Sequence, residues 1–288
     1  MNTDRRTLLA GLAGLAGLAV LPLLLAGAQA DTGSRLTLGI MPFNSALALI
    51  KTHQPLRQFL EAQLGTAIDV HTTSDYTSFL RESLAGRYDL LITGPHFAVM
   101  SVEKGYVPLV RYRATLQPIF VIRPGSGIEA ARDLRGRVVA LSSLFSVSSI
   151  GGMKWLADKG MQAGRDYRIR EYPTHGAAIA AVAVGEADAA LTTYTPLQQI
   201  PADVRNKVVE LPSEIRMPHL MTLAHRRLGD PRIAAIRKAL WNFAESPEGQ
   251  RFFQDTGYQG YEPVSHADLE ALTPYVAIVR QQMRLETR

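Results

Sequence analysis

Residues 138–156, VVALSSLFSVSSIGGMKWL, carry a strand, a turn and a helix start in one stretch. The apolar run Val138–Leu141 reads as a buried strand, and residues 150–159 read as a helix. Five serines (Ser142, Ser143, Ser146, Ser148 and Ser149) crowd into the eight positions between them. A strand that passes through small hydroxyl residues into a helix aims free backbone N–H groups, hydroxyls and the positive end of a helix dipole at one spot. Ser146, Val147, Ser148 and Ser149 are therefore candidates to hold a phosphate-like or carboxylate anion. The competing reading is that Ser148 or Ser149 merely caps the helix.

Outward from this stretch, short apolar runs alternate with amphipathic segments, as in βα units built around largely parallel sheets. Strands are predicted over 36–40, 67–71, 89–93, 107–111, 119–122, 138–141, 167–172, 187–191 and 220–224. Helices are predicted over 46–64, 76–85, 97–104, 150–159, 176–184, 231–245, 247–255 and 266–283. Open α/β sheets bind ligands at the C-terminal ends of their strands. Three further polar turns fall at such ends: 73–76 with Tyr76, 93–97 with Thr93, Gly94, Pro95 and His96, and 172–175 with His175. Ser74 and Thr174 in these turns could equally be helix caps. A protonated imidazole at His96 or His175 would suit an anion, so binding is expected to tighten below neutral pH.

Composition narrows the function classes. Cysteine is absent, which excludes disulfides, thiolate metal sites, a cysteine nucleophile and a lipidated cysteine. Residues 1–30 read as an export signal. Arg5-Arg6-Thr7 precedes an apolar stretch from Leu8 to Leu25, and Ala28-Gln29-Ala30 offers cleavage after Ala30. The arginine pair fits either the twin-arginine or the Sec route, and an uncleaved membrane anchor is the rival reading. Cleavage would lower the formal net charge from +5 to +4 by removing Asp4, Arg5 and Arg6. No long basic run suggests nucleic acid. The nearest match to a dinucleotide fingerprint, 125–130, follows Pro124 and lacks the acidic residue about twenty positions on. Hydrolase, zinc-protease and Walker A signatures are missing, and the seven histidines are scattered, so neither a metal nor another cofactor is expected.

With these segments in view, the chain resembles the periplasmic substrate-binding proteins of the phosphonate/phosphite/phosphate-binding family, the receptors of ABC importers. The likeness runs from about Leu36 to Val279. It is carried by Leu38-Gly39-Ile40-Met41-Pro42-Phe43, Ser74-Asp75-Tyr76, the 89–95 segment ending Thr93-Gly94-Pro95, and Asp133-Leu134-Arg135-Gly136. Ser146-Val147-Ser148, Gly185-Glu186-Ala187-Asp188-Ala189-Ala190 and Ser246-Pro247-Glu248-Gly249-Gln250 complete it. The resemblance implies a two-lobed α/β clamp, each lobe a mostly parallel sheet flanked by helices. Lobe one would comprise residues 31–118 and 217–288, lobe two residues 119–216, with two linkers crossing between them. It further implies no catalysis, an oxyanion held by Tyr76, the 94–97 turn, Ser146 to Ser148 and His175, and delivery to an ABC permease, with the protein a monomer; the rival readings are a receptor that feeds a membrane sensor kinase and an exported enzyme that acts on a phosphoester. Two departures stand out. Val147-Ser148-Ser149 replaces the family's Thr-Ser-Gly after the first serine, and Thr192, Thr193 and Tyr194 stand where an acidic residue often meets an aminoalkyl group.

Overall fold

A computed structural model of the protein describes residues 35–286. The export signal read over residues 1–30, with its break after Ala30, lies outside the described residues.

The chain first builds β1 (Leu36–Ile40), α1 (Ala46–Leu64), β2 (Ile68–His71), α2 (Tyr76–Leu84), β3 (Leu90–Thr93), α3 (Pro95–Val102) and β4 (Tyr106–Tyr112). It then crosses to β5 (Pro118–Ile122), β6 (Val138–Leu141), α4 (Val147–Asp158), β7 (Arg168–Glu171), α5 (His175–Ala183), β8 (Ala189–Thr193), α6 (Tyr194–Gln199), α7 (Ala202–Arg205) and β9 (Val209–Pro212). Finally it supplies β10 (Met221–His225), α8 (Asp230–Glu245), α9 (Pro247–Thr256), β11 (Tyr261–Glu262), α10 (His266–Glu270) and α11 (Thr273–Glu286).

Local chemistry sets many of these boundaries. The Ser45 hydroxyl accepts the Ala48 N–H at 3.3 Å to open α1, and Gly65 closes it at φ 59°, a left-handed conformation that glycine adopts without steric cost. Asp75 caps α2 through the Ser78 N–H at 2.7 Å, so the cap is Asp75 and not Ser74. Thr174 caps α5 through the Ala177 N–H at 3.1 Å. The helix read over 266–283 is two helices, α10 and α11, broken just before Pro274, whose ring cannot continue the preceding turn.

The strands form two sheets, one in the order β11-β4-β10-β3-β1-β2 and one in the order β7-β6-β8-β5-β9. Both are mixed where mostly parallel sheets were expected. β1 is parallel to β2 and β3, but β10 runs antiparallel to β3 and β4. β6 is parallel to β7 and β8, but β5 runs antiparallel to β8 and β9. The cause is where the chain enters. Met221, the first residue of β10, pairs with Thr93 at the end of β3, and Pro118, the first of β5, pairs with Thr193 at the end of β8. A crossing strand that enters a sheet at the C-terminal edge of its parallel strands must run against them. β9 lies where no strand was predicted; it is only four residues long, largely exposed, and ends in Pro212.

The two crossings lie side by side. Leu116 and Met217 exchange backbone hydrogen bonds of 3.0 Å each, Ser213 Oγ donates to the Pro118 carbonyl at 2.6 Å, and the Gln117 amide donates to the Ser213 carbonyl. Buried apolar residues cover both sheets. On the second, α4 packs Trp155 and Leu156 against Phe120, Val139 and Leu191, while α5 packs Ala178, Ile179 and Val182 on the opposite face.

α4 sits unusually close to its sheet because Gly151 and Gly152 face it. A Cβ on Gly152 would lie 2.4 Å from Leu191 Cδ1, and one on Gly151 would lie 2.9 Å from Pro118 Cγ. Gly152→Ala is expected to lower unfolding stability by about 1–3 kcal/mol, the usual cost of overpacking a full core. A urea midpoint within a few per cent of the parent would refute this close packing.

Candidate functional site

Helix starts from the second sheet meet strand ends of the first around a cavity of about 30 Å³. From the second sheet come Ser146, Val147 and Ser148 at the start of α4, His175 at the first position of α5, and Thr193, Thr195 and Pro196 around the start of α6. Facing them are Met41 and Phe43 after β1, Tyr76 at the first position of α2, Leu116 in one crossing, His219 and Leu220 in the other, and Tyr258 after α9. The volume suits one or two water-sized groups, far below the several hundred Å³ of a drug-sized pocket. A larger groove of about 680 Å³ beside α1 and α9 mixes Lys51, Glu248, Arg251 and Asp255, the lining of a solvated surface.

Hydroxyls dominate the polar wall. Ser146 Oγ and Ser148 Oγ lie 2.6 Å apart. The Tyr76 hydroxyl reaches across the cleft to His175 Nε2 at 3.4 Å, with the Ser142 and Ser146 hydroxyls beside it. Ser142 Oγ lies 3.2 Å from the same imidazole nitrogen. Ser146 is the N-cap of α4 but makes no side-chain capping bond, so the first-turn N–H groups of this helix remain open to an acceptor in the cavity. The serines of the stretch are thus partly inside the helix: it begins at Val147, three residues earlier than the sequence suggested, and neither Ser148 nor Ser149 is its cap.

The opposite wall is aromatic. Tyr258 stacks on Tyr112 with ring centroids 3.9 Å apart, and His219 meets Tyr258 edge-on at 5.2 Å. His219 Nδ1 accepts the Leu220 N–H at 2.8 Å, which leaves the proton on Nε2, 3.5 Å from Thr195 Oγ1. The Tyr258 hydroxyl is buried with the Gln199 amide near it but not hydrogen-bonded.

Among the described residues, no Asp, Glu, Lys or Arg side chain lines the cavity. Burial lowers the His175 pKa to about 4, with the Leu191 carbonyl opposing weakly, and lowers His219 to about 3, aided by the Arg111 charge. Burial raises Tyr76 to about 12 against its serine partners. In the empty cavity His175 is therefore neutral at pH 7, and its protonation beside a bound anion stays an expectation. His96 is neutral too, lowered by burial to about 4, and it does not line the cavity. Its Nε2–H donates to the Phe145 carbonyl at 2.8 Å, a bond from α3 to the loop before α4 that ties the two sides of the cleft.

Of the residues singled out from the sequence, Tyr76, Ser146, Val147, Ser148 and His175 come together on the cavity wall. Thr93, Gly94, Pro95, His96, Ser149 and Tyr194 do not. Gly94 serves instead as a close-packing position, since a Cβ there would lie 2.8 Å from His96 Cε1. Tyr194 is directed toward Glu210 and Arg216, and the buried Ser149 hydroxyl has no hydrogen-bond partner. Sequence reading missed Met41, Phe43, Leu116, Thr193, Thr195, Pro196, His219, Leu220 and Tyr258. Only Thr193, at the end of a predicted strand's extension, carried a usable signal.

The family model for periplasmic substrate-binding proteins of phosphonate ABC transporters matches residues 38–269. Among solved structures, PhnD1 of Prochlorococcus marinus in complex with methylphosphonate aligns with a TM-score of 0.72 at 14% identity, over 86% of this chain and 97% of that one. A binding protein component of an ABC phosphonate transporter from Pseudomonas aeruginosa aligns with a TM-score of 0.70 at 13% identity, over 88% and 99%. The periplasmic aliphatic sulphonate binding protein SsuA of Escherichia coli aligns with a TM-score of 0.63 at 18% identity, over 87% and 93%. At these identities the structures establish a common fold, the two-lobed α/β binding-protein architecture.

Four fully buried histidines, His53, His96, His175 and His219, have pKa values lowered to about 4, 4, 4 and 3. Unfolding exposes them to water, where they bind protons near pH 6.5, so the unfolded state gains protons first as pH falls. Stability is expected to be intact above about pH 6.5 and to decline toward pH 4, each histidine adding a slope of about 1.4 kcal/mol per pH unit inside that window. Urea unfolding at pH 7 and pH 5 checks this; equal midpoints would mean that the histidines are not buried neutral.

Proposed function

Because the chain belongs to the periplasmic substrate-binding proteins of phosphonate ABC transporters, we propose that the cavity between Tyr76 and the start of α4 is where it captures a small phosphorus oxyanion for import. The protein works with an ABC permease and a small-molecule ligand, as its family does. The observation that carries the placement is the open N-terminus of α4 beside the Ser146–Ser148 hydroxyl pair, met from the other lobe by Tyr76. Backbone N–H groups and hydroxyls aimed at one small volume are a standard means of holding an oxyanion.

Within the described residues, those up to 118 and from 217 onward would move as one lobe and residues 119–216 as the other, about the paired crossings at Leu116 and Met217. The signal would be removed after Ala30, and the mature chain would act as a monomer without catalysis. The Gly94–Phe97 turn would support the cleft from behind through the hydrogen bond of His96 to the Phe145 carbonyl.

Thermal denaturation of the mature chain against methylphosphonate, phosphite, phosphate and sulfate tests the reading. A true ligand at 100 times its Kd adds about 2.7 kcal/mol to stability. Replacing Ser146 and Ser148 together by Ala is expected to weaken binding by about 100- to 10,000-fold, corresponding to the loss of two hydrogen bonds to a charged group, with Tyr76→Phe costing less. Normal affinity in the double serine variant would remove the cradle from the site.

A further inference from the structure

The ionisation state in which the oxyanion is taken depends on the cavity's electrostatics. No cationic side chain lines it, and its two histidines, His175 and His219, are neutral at pH 7. What remains to balance an anion is the positive end of α4, worth about half an elementary charge. α5 spends its cap on Thr174, and α6 has only six residues. α2 is capped by the Asp75 carboxylate, whose negative charge opposes an incoming anion. The cost of removing an ion from water grows with the square of its charge, so a dianion costs roughly four times what a monoanion does. One half-charge and a ring of neutral donors answer a single negative charge far better than two.

The hydrogen-bond capacity agrees. Tyr76, Ser146, Ser148 and Thr195 are hydroxyls, each able to accept as well as donate, and the buried Tyr258 hydroxyl is without a partner. Such a wall can accept a proton carried by the ligand; a wall of ammonium or guanidinium groups could not. It has no carboxylate for a ligand ammonium. Asp75 and Glu171 line a separate surface groove on the other side of Tyr76, where each already accepts a backbone N–H, from Ser78 and Leu144.

We propose that the cavity takes its oxyanion in the singly charged, partly protonated form and rejects analogues that carry an ammonium group. This rests on the oxyanion reading above. In the empty cavity the groups that would face the ligand do not titrate near neutrality: Tyr76 is raised to about 12, Tyr258 is raised further, and His175 and His219 lie at about 4 and 3. Asp75, lowered by its hydrogen bonds from Ser78 and Ser74, stays ionised, and His96 behind the cleft stays neutral. The ligand's own second ionisation is then the event that changes affinity.

Calorimetric titration of the mature protein with methylphosphonate between about pH 6 and pH 9 is the test. The competent fraction of ligand falls tenfold per unit above its second pKa, so the Kd is expected to rise about tenfold per pH unit there. A Kd that is constant or falls with rising pH overturns the monoanion proposal. At the lowest pH of the series, 2-aminoethylphosphonate is expected to bind at least about tenfold more weakly than ethylphosphonate, the cost of a buried unpaired charge; equal or tighter binding overturns the ammonium exclusion. Absence of binding by methylphosphonate, phosphite and phosphate at every pH would instead sink the underlying oxyanion reading together with the proposal.

Discussion

Two backbone hydrogen bonds, Leu116 to Met217 and Met217 to Leu116, hold the outgoing and returning crossings together, and much of the architecture follows from them. Because the crossings run antiparallel at one place, the chain enters and leaves each sheet at the same edge. That edge is the C-terminal edge of β1, β3, β6 and β8, where helix starts are also found. The antiparallel strands β5 and β10 are thus consequences of the crossing, and so is the cleft between the sheets.

Closeness of α4 to its sheet then decides what the cleft contains. Gly151 and Gly152 allow the helix to approach Pro118 and Leu191, which seats its uncapped first turn at the cavity wall. Had Ser146 capped the helix with its own side chain, one of the open N–H groups would have been satisfied internally. Its hydroxyl instead pairs with that of Ser148, and both remain available to a guest.

Desolvation governs the chemistry of the same place. It keeps His175 and His219 neutral and Tyr76 protonated across the physiological range. Among the described residues, a cavity of this kind offers oriented dipoles and neither counter-ions nor free carboxylates. The inter-lobe bond from His96 to the Phe145 carbonyl depends on that neutrality as well, since burial holds the ring in its uncharged form.

The sequence by itself determined the α/β class, most strand positions and the part of the site that lies within one local stretch. Ser146, Val147, Ser148, Tyr76 and His175 were legible because each sits where an apolar run gives way to a helix, and that signal is local. The tertiary structure alone decided which turns share a cavity. Thr93, Gly94, Pro95 and His96 carry the same local signature, yet the His96 ring folds back over Gly94 to bond Phe145, so this turn braces the cleft from outside the cavity. His219 and Tyr258 were invisible because they belong to segments that reach the site only after the chain has recrossed and stacked its tyrosines. The protonation states were equally beyond the sequence, since a histidine's pKa is set by the burial that the packed lobes impose.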